Sequence, residues 1–511
     1  MLSSWSLGLG ALVLLLYWIY KKLWLPFQVF KRLGIKGPKP EPILGNARLR
    51  QKIGLIKFIS LLYKDYGPIS GFYFGIDPQL VIFDLDILKQ VLVKEFDSFM
   101  DRPIFPDFIR RKPNSPHGLL QERGEAWKAA RRTLTPTFSA AKMKMMVPLI
   151  ENSAQGLLKR MEEIAESGQS ADIFKVFGSF TMETIIATAF GRVMDIQGGE
   201  NDELTNAADL IFRGAAEGNK TSVAYVLPLT NNFPWLVPVL RFLMSRSQRV
   251  RAVETLKDTA LSLINERRKS GPQGNYKDML QLMIDATVDE EGEQSCPVGG
   301  KKLTNEQITA HSITFFLAGY ETTANTLSYT AYLLALHPEV QEKLQRDIDS
   351  YMEDNPDAGL YEASQEITYL DLVVQESLRL YPPAPMTLRL CNKTITINDL
   401  TIPKGVSVTV PIAHLHKDPQ YWEEPDKFIP ERFTSEEKAK RPQLCYMPFG
   451  HGPRNCIGMR FAMLEAKLAL IEVLRKFSFV RAPDTEVPLE TVVGITMAPK
   501  NGVFIKVIPR E

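Results

Sequence analysis

The first apolar stretch of the chain runs from Trp5 to Tyr20 and contains no charged residue. A helix needs about 20 residues, each rising about 1.5 Å, to cross a hydrocarbon core of about 30 Å. The apolar LWLPF after Lys21 and Lys22 extends the stretch to that length, and no small-residue cleavage site follows it. The pattern therefore predicts one N-terminal transmembrane helix in a membrane anchor at 1–24. A buried core helix is the alternative.

A basic and proline-rich segment follows the anchor at 25–42. All the basic residues near the anchor lie on the C-terminal side of the apolar stretch, so the positive-inside rule places the rest of the chain in the cytosol. The GPKPEP run favours a stiff, extended hinge because proline restricts the backbone. Residues 43–511 contain no repeat and no second break in composition, which predicts one large domain.

Helical periodicity dominates this domain and is clearest after residue 304. Thr304 and Gln307 form a capping box, and the helical pattern then continues without proline to Pro338. The predicted helix has about 30 residues and is about 45 Å long. The strand-like runs are short: ISGFYFG, QLVIFD, KTITINDLTIPKG, VSVTVPIA and NGVFIKVIP. The predicted fold class is therefore mainly α with small β-sheets.

Composition excludes several function classes. The 61 basic and 59 acidic side chains nearly cancel, so no overall charge favours a nucleic acid partner. The cysteines are too few and too scattered to staple a fold of this size, and their spacing does not suggest zinc. They are Cys296, Cys391, Cys445 and Cys456. A reducing compartment fits this usage, with at most one or two cysteines serving chemistry.

The motif PFGHGPRNCIG at 448–458 gives Cys456 the surroundings of a metal ligand. Its three glycines permit unusual φ values and a close approach of the backbone to a planar cofactor. Phe449 can shield the sulfur, and the helical run that follows places Cys456 near a helix N-terminus, where we expect a lowered thiol pKa. A buried cysteine in a glycine turn is the alternative, which the FxxGxxxCxG spacing disfavours.

With this motif the chain resembles the cytochrome P-450 family of haem-thiolate monooxygenases. The resemblance extends over the whole chain, including the anchor and hinge, and rests on four motifs in the same order. It implies the cytochrome P-450 fold, in which a long central helix lies over a haem. It also implies haem b (iron protoporphyrin IX) as cofactor, with the thiolate of Cys456 as axial ligand.

The second motif is ExxR in VVQESLRL, with a later arginine in FIPERF. Glu376 and Arg379 are three residues apart and project from one helix face. The resemblance implies that Arg432 completes a buried structural network behind the haem. A solvated i,i+3 ion pair is the alternative for ExxR alone.

The third motif, FFLAGYETTANT, lies in the middle of the long helix. Ala318 and Gly319 provide space beside the iron and favour a local opening of the helix. Glu321 and Thr322 provide an acid and an alcohol that can relay protons. A threonine that bonds back to a carbonyl one turn earlier is the alternative.

The fourth group of residues fits the two haem propionates, for which arginine is the natural partner. The positions that match propionate-binding positions in the family are Trp127, Arg131, Arg389 and Arg454. Some drug-oxidising relatives carry a further arginine just before the one that matches Arg102. This chain has Asp101 there, so that contact is not carried over.

Within the family, FGSFTMETIIATAFG, AGYETT and ESLRLYPPAP resemble the animal group that contains the liver drug-oxidising enzymes and thromboxane synthase. The resemblance implies a monooxygenase. A synthase of the thromboxane type, which rearranges a peroxide without electrons or delivered protons, is the alternative. Thr322 favours the monooxygenase because the rearranging enzymes tend to lack an alcohol there. A haem-binding carrier or sensor is the non-enzymatic alternative, and it would not need the pair formed by Glu321 and Thr322.

No nucleotide or flavin fingerprint occurs in the chain, so electrons must come from another protein. The resemblance implies an NADPH-dependent diflavin reductase in the same endoplasmic reticulum membrane, with cytochrome b5 as a further partner. The basic candidates for docking the reductase are Lys128, Arg132, Arg441, Arg460 and Lys467.

Family position also gives candidates for substrate contact, and they are mostly apolar, which predicts a lipophilic substrate such as a steroid, fatty acid or xenobiotic. They are Phe105, Phe108, Leu119, Phe315, Phe316, Ala384, Met386 and Ile495. A second apolar segment, 223–244, has prolines too closely spaced for a stable transmembrane helix. We predict that it lies in the membrane interface, with a core segment broken by turns as the alternative.

Overall fold

A computed structural model describes residues 4–103, 117–198, 202–217, 235–244, 248–270, 278–285 and 303–510. The predicted substrate contacts at Phe105 and Phe108, together with Cys296 and the first part of the second apolar segment, lie outside the described residues. The described fold is mainly helical with small sheets, as the sequence predicts.

The helices of the first half of the chain are α1 (Ser4–Ile19), α2 (Val29–Arg32), α3 (Ala47–Ile53), α4 (Leu55–Tyr66), α5 (Leu85–Lys89), α6 (Gly124–Leu134), α7 (Ala140–Ser167), α8 (Ile173–Phe190), α9 (Asp202–Glu217) and α10 (Leu236–Met244). Those of the second half are α11 (Gln248–Ser270), α12 (Met279–Asp285), α13 (Asn305–Leu336), α14 (Pro338–Asp354), α15 (Leu360–Glu366), α16 (Thr368–Leu380), α17 (Ile412–Leu415), α18 (Ser435–Ala439) and α19 (Met459–Lys476). Short 3₁₀ and π turns join several of them.

The strands are β1 (Ile69–Phe74), β2 (Asp77–Ile82), β3 (Ala171–Asp172), β4 (Thr387–Leu390), β5 (Ile395–Ile397), β6 (Leu400–Ile402), β7 (Ser407–Val410), β8 (Phe477–Val480), β9 (Thr491–Val493), β10 (Met497–Pro499) and β11 (Phe504–Pro509). The largest sheet has the order β1-β2-β7-β4. Within it β2 and β7 are parallel, and β4 pairs antiparallel with β7, so that Arg389 lies opposite Val408. The smaller sheets are β3-β11-β8, β9-β10 and β5-β6.

The long helix α13 is the centre of the fold, and its predicted cap is confirmed. The Thr304 hydroxyl accepts from the Gln307 amide at 3.2 Å, and the Gln307 side chain accepts from the Thr304 amide at 2.9 Å. The helix then continues for 32 residues, about 48 Å, before Pro338 begins the next helix. The helix packs mainly against α8. Its second half is almost wholly buried, because apolar and small side chains occupy most of its circumference.

The N-terminal helix α1 has 16 residues, and several of its apolar side chains are exposed, such as Leu9 and Leu14. By itself it is about 24 Å long, and a π turn extends the helical backbone to Trp24. By length and composition, Ile173–Phe190 is the one helix among the described residues that could span a bilayer, and 83% of it is buried inside the domain. That helix is therefore part of the core.

Candidate active site

The cysteine motif folds into a tight loop that is held by its own backbone. The Cys456 amide donates to the Phe449 carbonyl at 2.8 Å, and the Asn455 amide donates to the Gly452 carbonyl at 3.0 Å. Gly452 has a φ of +80°, and a Cβ there would lie 2.1 Å from the Leu92 carbonyl oxygen, so only glycine fits. The loop ends where α19 begins, three residues after Cys456.

The side chain of Cys456 has accessible surface, yet it lies deep within the protein. Desolvation is therefore the largest influence on the pKa of its thiol. Desolvation raises the pKa of the thiol, while the Gly458 amide and the guanidinium groups of Arg131 and Arg102 lower it less strongly. The expected lowering of the thiol pKa is therefore wrong for the protein part of the site. An accessible yet desolvated sulfur lines an internal space, and a bound cation would be needed to favour the thiolate.

The central helix presents a small residue in an otherwise packed region. Ala318 is exposed while its neighbours along α13 are mostly buried, so it also lines open space. Thr322, one turn later, donates its hydroxyl to the Ala318 carbonyl at 2.6 Å. The expected local opening of the helix is absent because α13 is continuous here. The back-bonded threonine weighed as the alternative is thus present, and it fixes the hydroxyl beside Ala318.

Glu321 is buried and is held by a neighbouring loop. Its carboxylate accepts from the Thr496 hydroxyl at 2.6 Å, in the turn between β9 and β10. The carbonyl of the next residue, Met497 at the start of β10, accepts from the Tyr329 hydroxyl at 3.0 Å. The acid of the central helix is therefore tied to a turn that carries Ile495, one of the predicted substrate contacts.

Arg131 and Arg454 are both fixed by hydrogen bonds near the cysteine loop. Arg131 donates to the backbone and side-chain oxygens of Asn455 at 2.8 and 2.9 Å, directly before Cys456. Arg454 donates to the carbonyls of Met100 and Glu122, each at 2.6 Å. Its guanidinium also lies 4.7 Å from the centre of the Trp127 ring. Trp127 therefore supports Arg454 by stacking.

Two further arginines join this group, and sequence reasoning included only one of them. Arg389 is 1% exposed on β4, and Arg102 follows Asp101 in the preceding loop. Among the described residues, neither Nε atom has a hydrogen-bond partner. Arg102 aligns with a family arginine, but its burial beside Cys456 is a tertiary feature that the sequence pattern does not give. We call Arg102, Arg131, Arg389 and Arg454 the arginine cluster.

The electrostatics of the arginine cluster indicate an anionic ligand. Burial lowers the pKa of Arg102 to about 10 and that of Arg454 to about 9. The positive charges of neighbouring arginines lower both pKa values further. Burial, with Arg102 and Arg454 nearby, lowers the pKa of Arg389 well below its usual value. Buried polar groups without partners are costly. A planar ligand with two carboxylates, such as haem, fits both the unpartnered nitrogens and the concentrated charge.

The ExxR residues form a buried network whose hydrogen bonds are largely made. Arg379 donates to both carboxylate oxygens of Glu376 at 2.6 and 2.8 Å. It also donates to the carbonyls of His416, Pro425 and Lys427 at 2.7 to 3.0 Å. Arg432 approaches Glu376 at 3.4 Å without hydrogen-bond geometry, and it donates to the Glu424 carbonyl at 2.9 Å. The solvated-pair alternative is wrong because Glu376 and Arg379 are both fully buried.

The predicted substrate contacts separate into two groups. Phe316 packs on Phe190 with ring centroids 4.4 Å apart and is buried between α13 and α8. The prediction of Phe316 as a substrate contact is wrong. Phe316 is two residues from Ala318 in the same helix, so its side chain points to the opposite face of that helix. Phe315 packs near Phe138 and is buried, as is Leu119. The remaining positions have some exposure, namely Ala384, Met386 and Ile495.

The basic docking candidates also differ in their availability. Lys467 is buried, pairs with Asp371 at 2.7 Å and donates to the Ser364 carbonyl, so its prediction as a docking residue is wrong. Arg441 stacks on the Trp422 ring and bonds to the Arg432 carbonyl. Lys128 pairs with Glu125 and Asp97. Arg132 and Arg460 are exposed.

The described part of the second apolar segment is Trp235 followed by α10. The side chains of Trp235, Val239 and Phe242 are 68%, 51% and 79% exposed. They are spaced by four and three residues, so they lie on one side of this short helical segment. Leu236 is partly buried. An apolar ridge on the surface is therefore present.

Comparison with known proteins gives a consistent result. A family model described as Cytochrome P450 matches residues 35–505. Cytochrome P450 3A41 of Mus musculus is 37% identical over 518 residues, which cover 100% of this chain and 97% of that protein. Cytochrome P450 3A9 of Rattus norvegicus is 37% identical over 517 residues, covering 100% and 97%. Cytochrome P450 3A7 of Homo sapiens is 38% identical over 488 residues, covering 94% and 93%.

Proposed function

The chain belongs to the cytochrome P450 family, and from that premise we propose that it inserts one oxygen atom from O₂ into a lipophilic small molecule. Enzymes of this family are monooxygenases whose haem b is bound by a cysteine thiolate and reduced with electrons from NADPH. The substrate class is a steroid, a fatty acid or a xenobiotic. The arginine cluster beside an accessible, desolvated cysteine is the observation that carries the proposal.

We assign Cys456 as the iron ligand, with Phe449 beside it, and the arginine cluster with Trp127 as the propionate site. When bound, the haem supplies the iron that activates O₂. We assign a structural role to Glu376, Arg379 and Arg432, because they form ion pairs with one another inside the protein. The supporting observation is that Arg102 and Arg389 each keep an Nε without a hydrogen-bond partner among the described residues, whereas Arg379 has its hydrogen bonds made.

The residues of the central helix would manage protons. Ala318 leaves room on the open side of the helix, and the back-bonded hydroxyl of Thr322 is fixed beside it. Glu321 would exchange protons with Thr322, while Thr496 holds the carboxylate until the turn that carries Ile495 moves. This arrangement supports a monooxygenase over a peroxide-rearranging synthase, because a rearrangement needs no delivered proton. A carrier or sensor would need neither residue.

Two measurements test the assignment. The ferrous CO complex of the purified protein should show the red-shifted absorbance of a thiolate ligand, and Cys456→Ser should lose it. With an NADPH-dependent diflavin reductase, steroid, fatty-acid and drug-like ligands that shift the haem spectrum should be screened for oxygenated products. Spectral binding without any product, in the presence of reductase and NADPH, would favour the carrier. Turnover of a lipid peroxide without NADPH would favour the synthase.

Thr322→Ala tests the proton role within the same assay. The variant should keep its haem spectrum and consume NADPH, but product should fall by about 10-fold or more while peroxide rises, since acid-base groups typically contribute about 10²–10⁴-fold. Thr322→Ser keeps the hydroxyl and is the matched control. Equal coupling in the wild type and in Thr322→Ala would make the threonine structural only.

We further propose a single-pass anchor at 1–24, a hinge at 25–42, a cytosolic catalytic domain at 43–511 and residence in the endoplasmic reticulum membrane. The reductase would dock on the cysteine side through exposed cations such as Arg132 and Arg460, with cytochrome b5 as a second donor. Arg460→Glu should raise the KM for reductase more at low salt than at high salt, because surface electrostatics is screened. Lys467→Met tests the contrast, since Lys467 is buried.

The exposed ridge of α10 supports a second membrane contact. An apolar patch of this kind marks an interaction site, and an interfacial helix would sit about 5–10 Å into the headgroup boundary. Deletion of residues 1–36 should leave a protein that still binds vesicles at high salt. Changing Trp235, Val239 and Phe242 to serine in that protein should release it. Complete solubility of the deleted protein with α10 intact would rule the contact out.

A further inference from the structure

The loop residue Asp101 contacts the structure around the arginine cluster from several directions. Its Oδ1 accepts from the Gly124 amide at 2.8 Å, and its Oδ2 accepts from the Asn392 side-chain amide at 3.0 Å. The same carboxylate lies 3.9 Å from Nη1 of Arg454. The side chain is only 13% exposed, so these contacts are largely shielded from water. Its backbone carbonyl accepts from the Leu390 amide at 2.7 Å.

These contacts reach the segments that carry all four arginines of the cluster. Gly124 is the first residue of α6, and that helix carries Arg131. Leu390 ends β4, which carries Arg389. Arg102 is the next residue in the chain, and Arg454 is contacted directly. One residue, through its carboxylate and its backbone carbonyl, thus joins the loop, the helix, the strand and the cysteine motif at the place where the cationic groups converge.

Asp101 also brings a negative charge to the arginine cluster. Asp101 raises the pKa of Arg454 against the larger effect of burial, while the other arginines nearby lower it. A carboxylate at the amino end of α6 is also favoured by the helix dipole. Because the side chain is shielded, its field acts through a region of low dielectric constant and is weakly screened by salt.

We propose that Asp101 is a positioning residue for the haem, which holds the arginine cluster in place and lowers the reduction potential of the iron. This inference rests on the proposed function, because it requires the haem propionates to lie against the cluster. A negative charge at that end of the haem opposes the gain of an electron. Replacing it with a neutral group should favour the reduced state, so the midpoint potential should move in the positive direction.

The test compares Asp101→Asn with the wild type by spectroelectrochemical titration of the purified, substrate-free holoprotein at low and high salt. The midpoint potential should shift positively in Asp101→Asn, and the shift should persist at high salt. Asp84→Asn is the matched control, because Asp84 also accepts a backbone amide, that of Ile87 at 2.9 Å, but it caps α5 and has no described contact with the cluster. Its potential should equal that of the wild type.

Exchanging the side chains of Asp101 and Asn392 separates the effect of the negative charge from the effect of the hydrogen bond between them. Asp101→Asn with Asn392→Asp reverses the direction of their hydrogen bond and returns one negative charge to the same contact. The swap should move the potential back toward the wild-type value. This variant also decides the matter if Asp101→Asn alone fails to hold haem, because restored haem binding with a restored potential supports the proposal.

Three results would count against it. An unchanged potential in Asp101→Asn, with a normal thiolate spectrum, would overturn this inference alone. A swap variant that recovers thermal stability but keeps the potential of Asp101→Asn would show that Asp101 only fastens the loop. A wild-type protein without the thiolate spectrum would overturn the proposed function and, with it, this inference.

Discussion

The chain buries two groups of arginines, and they differ in what meets their charges. In the ExxR network, Arg379 is fully buried and all its described contacts are short, to Glu376 and to carbonyls. In the arginine cluster, Arg389 is equally buried, yet its Nε is unpartnered within the described part of the chain. Arg379 and Arg389 therefore have similar burial but different hydrogen-bond satisfaction.

That difference separates a structural site from a binding site. An arginine whose donors are all used by the protein has none left for a ligand. An arginine that is buried without sufficient partners imposes a cost on the ligand-free fold, which a bound anion can offset. Burial of a charged residue is therefore uninformative by itself, and the hydrogen-bond inventory decides its role.

The largest effect should follow from breaking the completed network. Arg379→Met leaves Glu376 buried without its main partner, so we expect the free energy of unfolding to fall by about 3–5 kcal/mol. Urea denaturation followed by circular dichroism measures it. Lys343→Met breaks the exposed pair with Glu431 and should cost about 1 kcal/mol or less. Adding Glu376→Gln to Arg379→Met should recover part of the loss, and no recovery would contradict the charge argument.

A smaller effect of a different kind is expected in the arginine cluster. Arg389→Met removes a costly buried charge, so the haem-free protein should be as stable as the wild type or more stable. Haem affinity should nevertheless fall about 10- to 100-fold, since hydrogen bonds to charged groups contribute about 1.5–3 kcal/mol. Haem transfer to an acceptor globin measures the affinity. Arg160→Met, at an exposed cation of α7, should change neither quantity. A destabilised haem-free Arg389→Met would place Arg389 with the structural group.

Local sequence patterns predicted much of the fold. The capping box and periodicity gave the central helix, and the strand-like runs correspond to β1, β2, β5, β6, β7 and β11. Strand β8 was missed because Phe477–Val480 follows a helix without a turn signal, and β3 because it has only two residues. Both are defined by pairing with distant strands, which a local pattern does not contain.

The candidate site was predicted where residue type and spacing were enough, and missed where three-dimensional surroundings decide. Spacing identified Cys456 and ExxR as candidates. It could not show that Phe316 faces the core or that Lys467 is buried against Asp371, because both depend on packing between distant helices. The predicted lowering of the Cys456 pKa was wrong for the same reason, because desolvation depends on the folded surroundings of the sulfur.

The free energy of unfolding should depend on pH through His416, a buried histidine beside the ExxR network. His416 is fully buried; burial, then the charge of Arg379, lowers its pKa to about 3, and its Nε2 accepts from the Met447 amide. Below a pH of about 6.5 the unfolded chain binds a proton that the folded protein refuses, so stability falls as the pH decreases from there toward 3. The loss attributable to His416 should be about 2 kcal/mol at pH 5.

Urea denaturation at pH 7 and pH 5 measures this change for the wild type, His416→Gln and the control His337→Gln. Glutamine keeps an acceptor for Met447 without titrating, so His416→Gln should lose less stability between the two pH values. His337, whose side chain is 35% exposed at the end of the central helix, is the histidine control outside the network. An equal loss of stability between pH 7 and pH 5 in all three proteins would show that His416 does not cause the pH dependence.

The smallest effect should come from the outer arginine of the network. Arg432 lies 3.4 Å from Glu376 but lacks hydrogen-bond geometry, and its other described contact is to the Glu424 carbonyl. Glu376 would keep Arg379 and the Ile429 amide, at 3.0 Å, if Arg432 were removed. Arg432→Met should therefore cost only about 1 kcal/mol, the typical value of one hydrogen bond. A loss as large as that of Arg379→Met would mean that Glu376 needs both cations, and that the network is a triad rather than a pair with an accessory arginine.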